Sequence, residues 1–249
     1  MRLVQITDCH LHADPEAPSR AGFPLRQFQI VVQQVIEKRP DIVVVSGDIS
    51  QDETSASYVL AKEILASLPC PWFWLPGNHD QPELMEAVHP LHREVDMQGW
   101  RLLLLHTQVS GQPHGELGAE QLAELVERLE NDVRPTVIAM HHPPLDVGTA
   151  WMDRIGLQDR EAFWQSLAAY PQVKVILFGH AHQAFARLQG FGDHVIGVYG
   201  CPSTTDQFLA GAEHFTIDEA SRPGYRVIDL HSGRAGNAGW TTWIERVDL

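Results

Sequence analysis

Acidic, amide and imidazole side chains cluster at five places in the first 182 residues of this chain. The clusters are Asp8-Cys9-His10, Gly47-Asp48, Gly77-Asn78-His79-Asp80, His141-His142 and Gly179-His180-Ala181-His182. Their side chains suit iron, manganese, zinc or cobalt as ligands and give no reason to expect copper(I) or an iron–sulfur cluster. A single Asp-x-His or Gly-Asp motif is more often a turn or a cap. Five such motifs in this order predict a metal centre.

Each cluster comes directly after a short apolar run that predicts a β-strand. These runs are residues 3–7, 41–46, 72–75, 136–140 and 173–178, and a sixth run covers residues 101–105. Helical periodicity alternates with the strands at residues 25–38, 54–67, 122–129 and 160–169. Open α/β sheets bind their ligands at the carboxyl ends of the strands. We therefore expect the five clusters to meet at one edge of the fold.

The spacing within the clusters predicts paired ligands on tight turns. Asp8 and His10 stand two positions apart, as do His180 and His182. An extended backbone would turn both members of each pair to the same side. Three clusters begin with a glycine, namely Gly47, Gly77 and Gly179. At these positions we expect the chain to turn sharply with a positive φ.

The sequence pattern changes after residue 182. Short strand patterns follow at residues 194–199, 213–217, 225–230 and 240–247, without helical periodicity between them. They predict a second, more antiparallel sheet in the C-terminal part, residues 194–247. Two mixed sheets packed face to face, with helices outside, form a four-layer αββα sandwich of the α/β class. We expect one domain over residues 1–249, with the metal-ligand motifs within residues 8–182.

The composition restricts the partners of the protein. The chain has 249 residues and a net charge of −14, and it has no cluster of lysine and arginine that could neutralise a nucleic-acid backbone. A small anion can still bind where bound cations reverse the local field. With no apolar stretch long enough for a bilayer and no signal-peptide core, we expect a cytoplasmic protein without a membrane partner. The oligomeric state stays open, and a homodimer is allowed.

Cysteine usage excludes two further kinds of site. The chain has three cysteines, Cys9, Cys70 and Cys201, and none of them forms a CxxC pair. An odd number with this spacing argues against a disulfide framework and against a cysteine zinc site. We interpret Cys70 and Cys201 as small core residues.

The ordered motifs resemble the calcineurin-like metallophosphoesterase superfamily. Its pattern runs Asp-x-His, Gly-Asp, Gly-Asn-His-Asp/Glu, His and Gly-His-x-His, and residues 1–182 contain every element of it. The resemblance implies the αββα sandwich and two metal ions, with a hydroxide between them as the nucleophile. The implied ligands are Asp8, His10 and His182 for one ion, Asn78, His141 and His180 for the other, and Asp48 as the bridge between both.

Within the superfamily, the chain is most similar to bacterial class III cyclic nucleotide phosphodiesterases. Residues 141–153 and 202–208 resemble the cyclic-AMP branch, which implies a small phosphodiester substrate and hydrolysis of 3',5'-cyclic AMP to 5'-AMP. Protein phosphatases of the superfamily carry an arginine soon after Gly-Asp and a glutamate after Asn-His. Here residues 49–52 are Ile-Ser-Gln-Asp and Asp80 follows the histidine, which disfavours that activity.

The resemblance also gives roles to residues beside the metals. It places His79 there without making it a ligand, and we expect His79 to act as a general acid, with Asp80 as the candidate orienting partner. We expect residues 147–153 and 202–208 to form substrate loops. The residues expected to contact substrate are Asn78, His79, His142, Trp151, Ser203 and Gln207. Asp52, Asp206 or backbone carbonyls would fix the second ring nitrogen of the histidine ligands.

Two other functions remain open at this point. The substrate of the same centre could be a glycerophosphodiester, a nucleoside diphosphate derivative or a phosphomonoester, because the fold and the metals do not fix specificity. The chain could also be an inactive metal-binding interaction module. Superfamily members that have lost catalysis usually lack ligands or the histidine of Gly-Asn-His, whereas all of these residues are present here.

Overall fold

The computed structural model describes residues 1–192, 194–231 and 238–249. In order along the chain, its elements are β1 (Arg2–Ile6), α1 (Pro24–Glu37), β2 (Ile42–Ser46), α2 (Ser55–Leu65), β3 (Trp72–Leu75), α3 (Pro82–Val88), β4 (Glu94–Met97), β5 (Trp100–Leu104), α4 (Gly118–Asn131), β6 (Thr136–Ala139), α5 (Ala150–Asp153), α6 (Arg160–Leu167), β7 (Val173–Phe178), β8 (Phe185–Phe191), β9 (His194–Gly200), β10 (Gly224–His231) and β11 (Gly239–Arg246). None of the helices in these described ranges is both long and apolar enough to span a bilayer.

The strands form two mixed sheets. The five-stranded sheet has the order β11-β10-β1-β2-β3, in which β1, β2 and β3 run parallel and β10 and β11 are antiparallel. The six-stranded sheet has the order β4-β5-β6-β7-β9-β8, with parallel strands in the middle and antiparallel pairs at both edges. All five residues of β2 are buried, as a strand covered on both faces requires.

Three apolar clusters hold the layers together. One packs α1, α2 and α3 against the five-stranded sheet, and a second packs α4, α5 and α6 against the six-stranded sheet. The third lies between the sheets and contains buried residues of both, such as Val44 and Leu177. The predicted four-layer αββα sandwich is therefore confirmed.

The C-terminal strands do not form a sheet of their own, so that part of the prediction is wrong. β9 pairs in parallel with β7, whereas β10 pairs antiparallel with β1, and the strands of residues 194–247 thus extend both sheets. Residues 213–217 are also not a strand. Four of these five residues are exposed, and only an isolated bridge between Phe208 and Ile217 remains. Because the segment has no face packed against the core, it does not become part of either sheet.

A buried glutamine and a buried arginine connect the two sheets. The Gln5 amide of β1 donates to the Ser46 hydroxyl at 2.8 Å and, across the layers, to the Phe178 carbonyl at 3.0 Å. Arg226 of β10 donates at 2.9 Å to the carbonyls of both Phe185 and Gly200, which belong to β8 and β9. These contacts fix one sheet against the other next to the strand ends that carry the predicted ligands.

We predict that Arg226→Met destabilises the fold. The arginine is 3% exposed, so its replacement removes buried charged hydrogen bonds to the two carbonyls, which should lower the free energy of unfolding by about 2–4 kcal/mol. Urea titration monitored by tryptophan fluorescence measures this change. Arg187→Met is the matched control, because Arg187 lies exposed on β8 and its loss should cost less than about 0.5 kcal/mol. Equal stability of the two variants would contradict a bridging role for Arg226.

Candidate metal centre

Two buried carboxylates occupy the centre of the predicted site. Asp8 follows β1 and is fully buried, and Asp48 follows β2 and is 2% exposed. The Nε2 atom of His182 lies 3.2 Å from Asp8 Oδ1. Asp48 Oδ2 lies 3.4 Å from His141 Nε2 and 3.8 Å from His10 Nε2. The carboxylate of Asp48 thus stands between two histidines that the family pattern assigns to different ions.

The remaining predicted ligands surround these carboxylates. The ligand atoms of Asp8, His10 and His182 all lie within 4.8 Å of one another. On the other side, Asn78 Oδ1 is 3.2 Å from His141 Nε2. The ring of His180 is centred 5.1 Å from that of His141. All seven residues predicted to bind metal are therefore brought together, in two groups that share Asp48.

The backbone reaches this arrangement through left-handed conformations. The φ angles of Asp8, His10, Asp48, His180 and His182 lie between 48° and 62°. The backbone of the two pairs is therefore left-handed and not extended, so the expectation of an extended backbone was wrong. Asp8 and His10 still bring ligand atoms within 4.8 Å of each other, whereas Cys9 and Ala181, the middle residues of the two pairs, pack into the apolar clusters. Each such residue costs of order 1–3 kcal/mol, and strain of this kind concentrates at functional sites.

The three glycines act in two different ways. Gly47 has a φ of 97°, as predicted. Gly77 and Gly179 do not have positive φ, so the expected turn geometry is wrong for them. A Cβ atom on Gly77 would overlap the Asp48 carboxylate, and one on Gly179 would overlap the Thr7 hydroxyl. These two positions need glycine because the polar groups of the site approach the backbone closely.

Backbone carbonyls orient two of the histidines. His141 Nδ1 donates to the Ser46 carbonyl at 2.8 Å, and His182 Nδ1 donates to the main-chain carbonyl of Asp206 at 2.7 Å. Each bond leaves Nε2 free to face the carboxylates. Asp52 takes no part, since its carboxylate accepts from the Ala13 amide instead.

The electrostatics of the cluster suit a cation. Burial lowers the pKa of His10 to about 4 and that of His180 to about 3. Burial also lowers the pKa of His141, but the charge and hydrogen bond of Asp48, the charge of Asp8 and the bond to Ser46 together outweigh burial and raise that pKa to about 9. The buried ring atoms His10 Nδ1 and His180 Nε2 have no hydrogen-bond partner. The carboxylates and imidazoles of the cluster form a donor set that fits transition-metal ions.

The structure separates the roles of His79 and Asp80. The His79 ring lines the cavity beside the cluster, 5.2 Å from the ring of His10, and its amide donates to Asp48 Oδ1 at 2.9 Å. Asp80 is buried and accepts bonds from the main-chain amides of Ile49, Ser50 and Gly77. Asp80 therefore braces the two ligand loops and does not orient His79, contrary to expectation. Gln51 is the side chain next to the His79 ring, at 3.5 Å.

Burial and the nearby Asp48 raise the pKa of Asp80 to about 7.

A cavity of about 590 Å³ opens beside the cluster, and Asn78, His79 and Trp151 line it, as predicted for substrate contacts. The other three residues predicted to contact substrate do not line this cavity. His142 is buried beside His141 and His180, with a ring nitrogen within 4.8 Å of theirs, and its Nδ1 atom lies 2.7 Å from the Thr107 hydroxyl.

Ser203 and Gln207 are also buried, and neither lines the cavity. The Ser203 hydroxyl donates to the Asp8 carbonyl at 2.8 Å. The Gln207 amide group donates to the Ser203 and Thr205 carbonyls and accepts from Arg246. Both side chains make hydrogen bonds that hold the loop of residues 202–208 together. Two other residues of this loop, Asp206 and Phe208, line the cavity.

Sequence reasoning missed several residues of the cavity wall. Phe208 stacks on the ring of His182, with centroids 3.9 Å apart and planes inclined by 9°. Phe215, Arg20 and His12 line the same cavity. Phe208 belongs to the predicted substrate loop of residues 202–208, although it was not among the residues expected to contact substrate. No periodic pattern marks Arg20 or Phe215.

Comparison with known proteins agrees with this geometry. The model of the calcineurin-like phosphoesterase family matches residues 1–184. The chain is similar to the 3',5'-cyclic adenosine monophosphate phosphodiesterase CpdA of Vibrio vulnificus, with 39% identity over 99% of this chain and 90% of that protein. It is also similar to a 3',5'-cyclic-nucleotide phosphodiesterase of Nostoc, with 36% identity over 98% of this chain and 92% of the relative.

Among solved structures, a dimetal phosphatase from Danio rerio has the same fold. Its TM-score is 0.69 with 13% sequence identity, over 99% of both chains. The family model covers well over half of this sequence, and the relatives align along nearly all of it. The chain belongs to the calcineurin-like phosphoesterase family.

Proposed function

We propose that this protein hydrolyses 3',5'-cyclic AMP to 5'-AMP at a centre of two metal ions. The position of Asp48 carries the proposal, because its carboxylate stands between His10 and His141 at 3.8 and 3.4 Å, at the floor of an open cavity. A shared carboxylate is what a pair of ions a few ångströms apart requires. The names of the relatives support the choice of a cyclic nucleotide as substrate.

Each ion would have its own set of ligands from this chain. Asp8, His10 and His182 would hold one, and Asn78, His141 and His180 the other, with Asp48 common to both. Two such ions, when bound, supply Lewis-acid activation of water and neutralise the charge of the phosphate. The donor types are compatible with iron, manganese, zinc and cobalt. A cytoplasmic location and a homodimer stay predictions from the sequence.

His79 is placed to handle the proton of the leaving group. Its ring faces the cavity next to His10, while its main chain is fixed by Asp48. Opening the cyclic phosphate releases a ribose oxygen, which is a poor leaving group unless it receives a proton. A positioned imidazolium contributes about 10²–10⁴-fold to the rate of such a step.

The substrate class is tested with the metal-loaded protein and a panel of phosphoesters. We expect kcat/KM for cyclic AMP to exceed that for glycerophosphocholine, because the cavity of about 590 Å³ has room for a nucleoside beside the cluster. It should also exceed that for 5'-AMP, which is the product of the proposed reaction. Chromatographic analysis should identify 5'-AMP as the product. A higher kcat/KM for glycerophosphocholine would assign the protein to the glycerophosphodiesterases instead.

We predict that Asp48→Ala abolishes turnover and removes at least one of the two ions. Asp48 is the one ligand in the proposed set that both ions share, so its loss affects both. Metal content by mass spectrometry and the rate on cyclic AMP measure the two effects. The control is Asp41→Ala, because Asp41 is exposed just before β2, whereas Asp48 follows the other end of that strand. An Asp48→Ala variant that keeps two ions and its full rate would exclude the assignment.

We predict that His79→Ala keeps both ions and loses about 10²–10⁴-fold in rate on cyclic AMP, as the loss of an acid catalyst requires. The loss on bis(p-nitrophenyl) phosphate should be far smaller, because nitrophenolate leaves without a proton. His231→Ala, an exposed histidine of β10, should have no effect on either rate. Equal losses on the two substrates would indicate phosphate binding, and loss of metal would indicate a structural role.

A further inference from the structure

A set of three aromatic rings leads from the metal cluster to the mouth of the cavity. We call Trp151, Phe208 and Phe215 the aromatic wall. Their ring centroids lie 5.2–5.3 Å apart in edge-to-face contacts. Phe208 begins the wall by stacking on His182, and Phe215 ends it with 46% of its surface exposed. Two consecutive ring contacts, of 3.9 and 5.2 Å, thus separate Phe215 from a predicted metal ligand.

An arginine lies over the outer end of the aromatic wall. The Arg20 guanidinium is 5.0 Å from the centroid of Phe215, although its side chain is two-thirds exposed. Asp206 contacts both this side chain and its loop. The Asp206 carboxylate lies 3.9 Å from the Arg20 guanidinium and accepts from the Ser19 hydroxyl and the Ala21 amide, both at 2.8 Å.

Asp206 therefore connects the metal cluster with the loop of Arg20. Its main-chain carbonyl accepts from His182 Nδ1, while its side chain accepts from the residues on both sides of Arg20. The carboxylate and the Ser19 hydroxyl are already hydrogen-bonded to this loop. The surface that this end of the cavity offers to a ligand includes aromatic rings and a planar cation.

We propose that the aromatic wall and Arg20 form a nucleobase subsite, with Asp206 as its positioning residue. This inference rests on the proposed function, since a cyclic phosphate bound at the cluster must point its base in some direction. A base is flat and stacks well on aromatic rings and under a guanidinium. The subsite binds the face of the base and not its hydrogen-bonding edge. A glycerophosphodiester has no planar group that could use it.

The test compares Phe215→Ala in the metal-loaded protein with the wild type on cyclic AMP, cyclic GMP and glycerophosphoglycerol. Loss of a stacking partner should raise KM about tenfold for both cyclic nucleotides. It should change kcat less than about twofold, because uniform binding is lost and not transition-state binding. The rate on glycerophosphoglycerol should stay unchanged, because this diester has neither a planar ring nor a cation that could bind an aromatic face. Phe23→Ala is the matched control, since Phe23 is 39% exposed and lies 4.8 Å under the Arg26 guanidinium outside the cavity.

A second variant tests the positioning role. Asp206→Ala should raise KM for both cyclic nucleotides while the metal content stays at the wild-type level, because the main-chain carbonyl that holds His182 remains. A loss of metal would assign Asp206 to the metal centre and not to the subsite. If Phe215→Ala lost as much activity on glycerophosphoglycerol as on the cyclic nucleotides, or if it affected one cyclic nucleotide alone, the binding of base faces would be overturned.

Binding of adenosine separates this inference from the proposed function. Adenosine has no phosphate and needs no turnover, so an NMR titration of wild type and Phe215→Ala measures the subsite directly. Weaker binding by the variant would support the subsite even if the wild type did not hydrolyse cyclic AMP. A wild-type protein that does not bind adenosine, or a variant that binds it equally well, would overturn the subsite.

Discussion

The site depends on buried contacts between carboxylates of one sheet and imidazoles of the other. Asp8 and Asp48 follow strands of the five-stranded sheet, whereas His182 and His141 follow strands of the six-stranded sheet. Their contacts of 3.2 and 3.4 Å exist only if the two sheets are packed in the right register. Buried charges are costly unless they are paired. The apolar layer between the sheets is therefore also what sets the geometry of the metal centre.

The backbone around these contacts is built for function at a cost in stability. Five predicted ligands have left-handed φ angles, and Gly77 and Gly179 leave no space for a side chain beside the carboxylates. Asp80 offsets part of this cost, because its carboxylate accepts three main-chain amides of the two ligand loops. Asp80 thus stabilises the backbone of the site, whereas its neighbour in sequence, His79, lines the cavity.

The sequence predicted the parts of the fold that have strong local patterns. Apolar runs such as that of β2, ending in polar clusters, were sufficient to locate the metal-binding edge. The sheet membership of β9 and β10 was not predictable, because it depends on which strand edge each one meets and not on local periodicity. Ser203 and Gln207 were misplaced for a similar reason. An irregular loop has no period, and the Gln207 partner Arg246 lies 39 residues away.

Residues at strand ends and residues on loops also differ in their proposed roles. The former would carry out the reaction, and the latter would select the substrate. The predicted metal ligands lie at strand ends whose positions are fixed by both sheets, so these residues can change little without loss of the fold. The aromatic wall and Arg20 lie on loops and on the short α5, where substitutions affect fewer core contacts. Asp206 is the exception, because one residue fixes both a histidine of the cluster and the loop of Arg20. Changes of substrate in this family should therefore occur more readily at Phe215 and Trp151 than at Asp206.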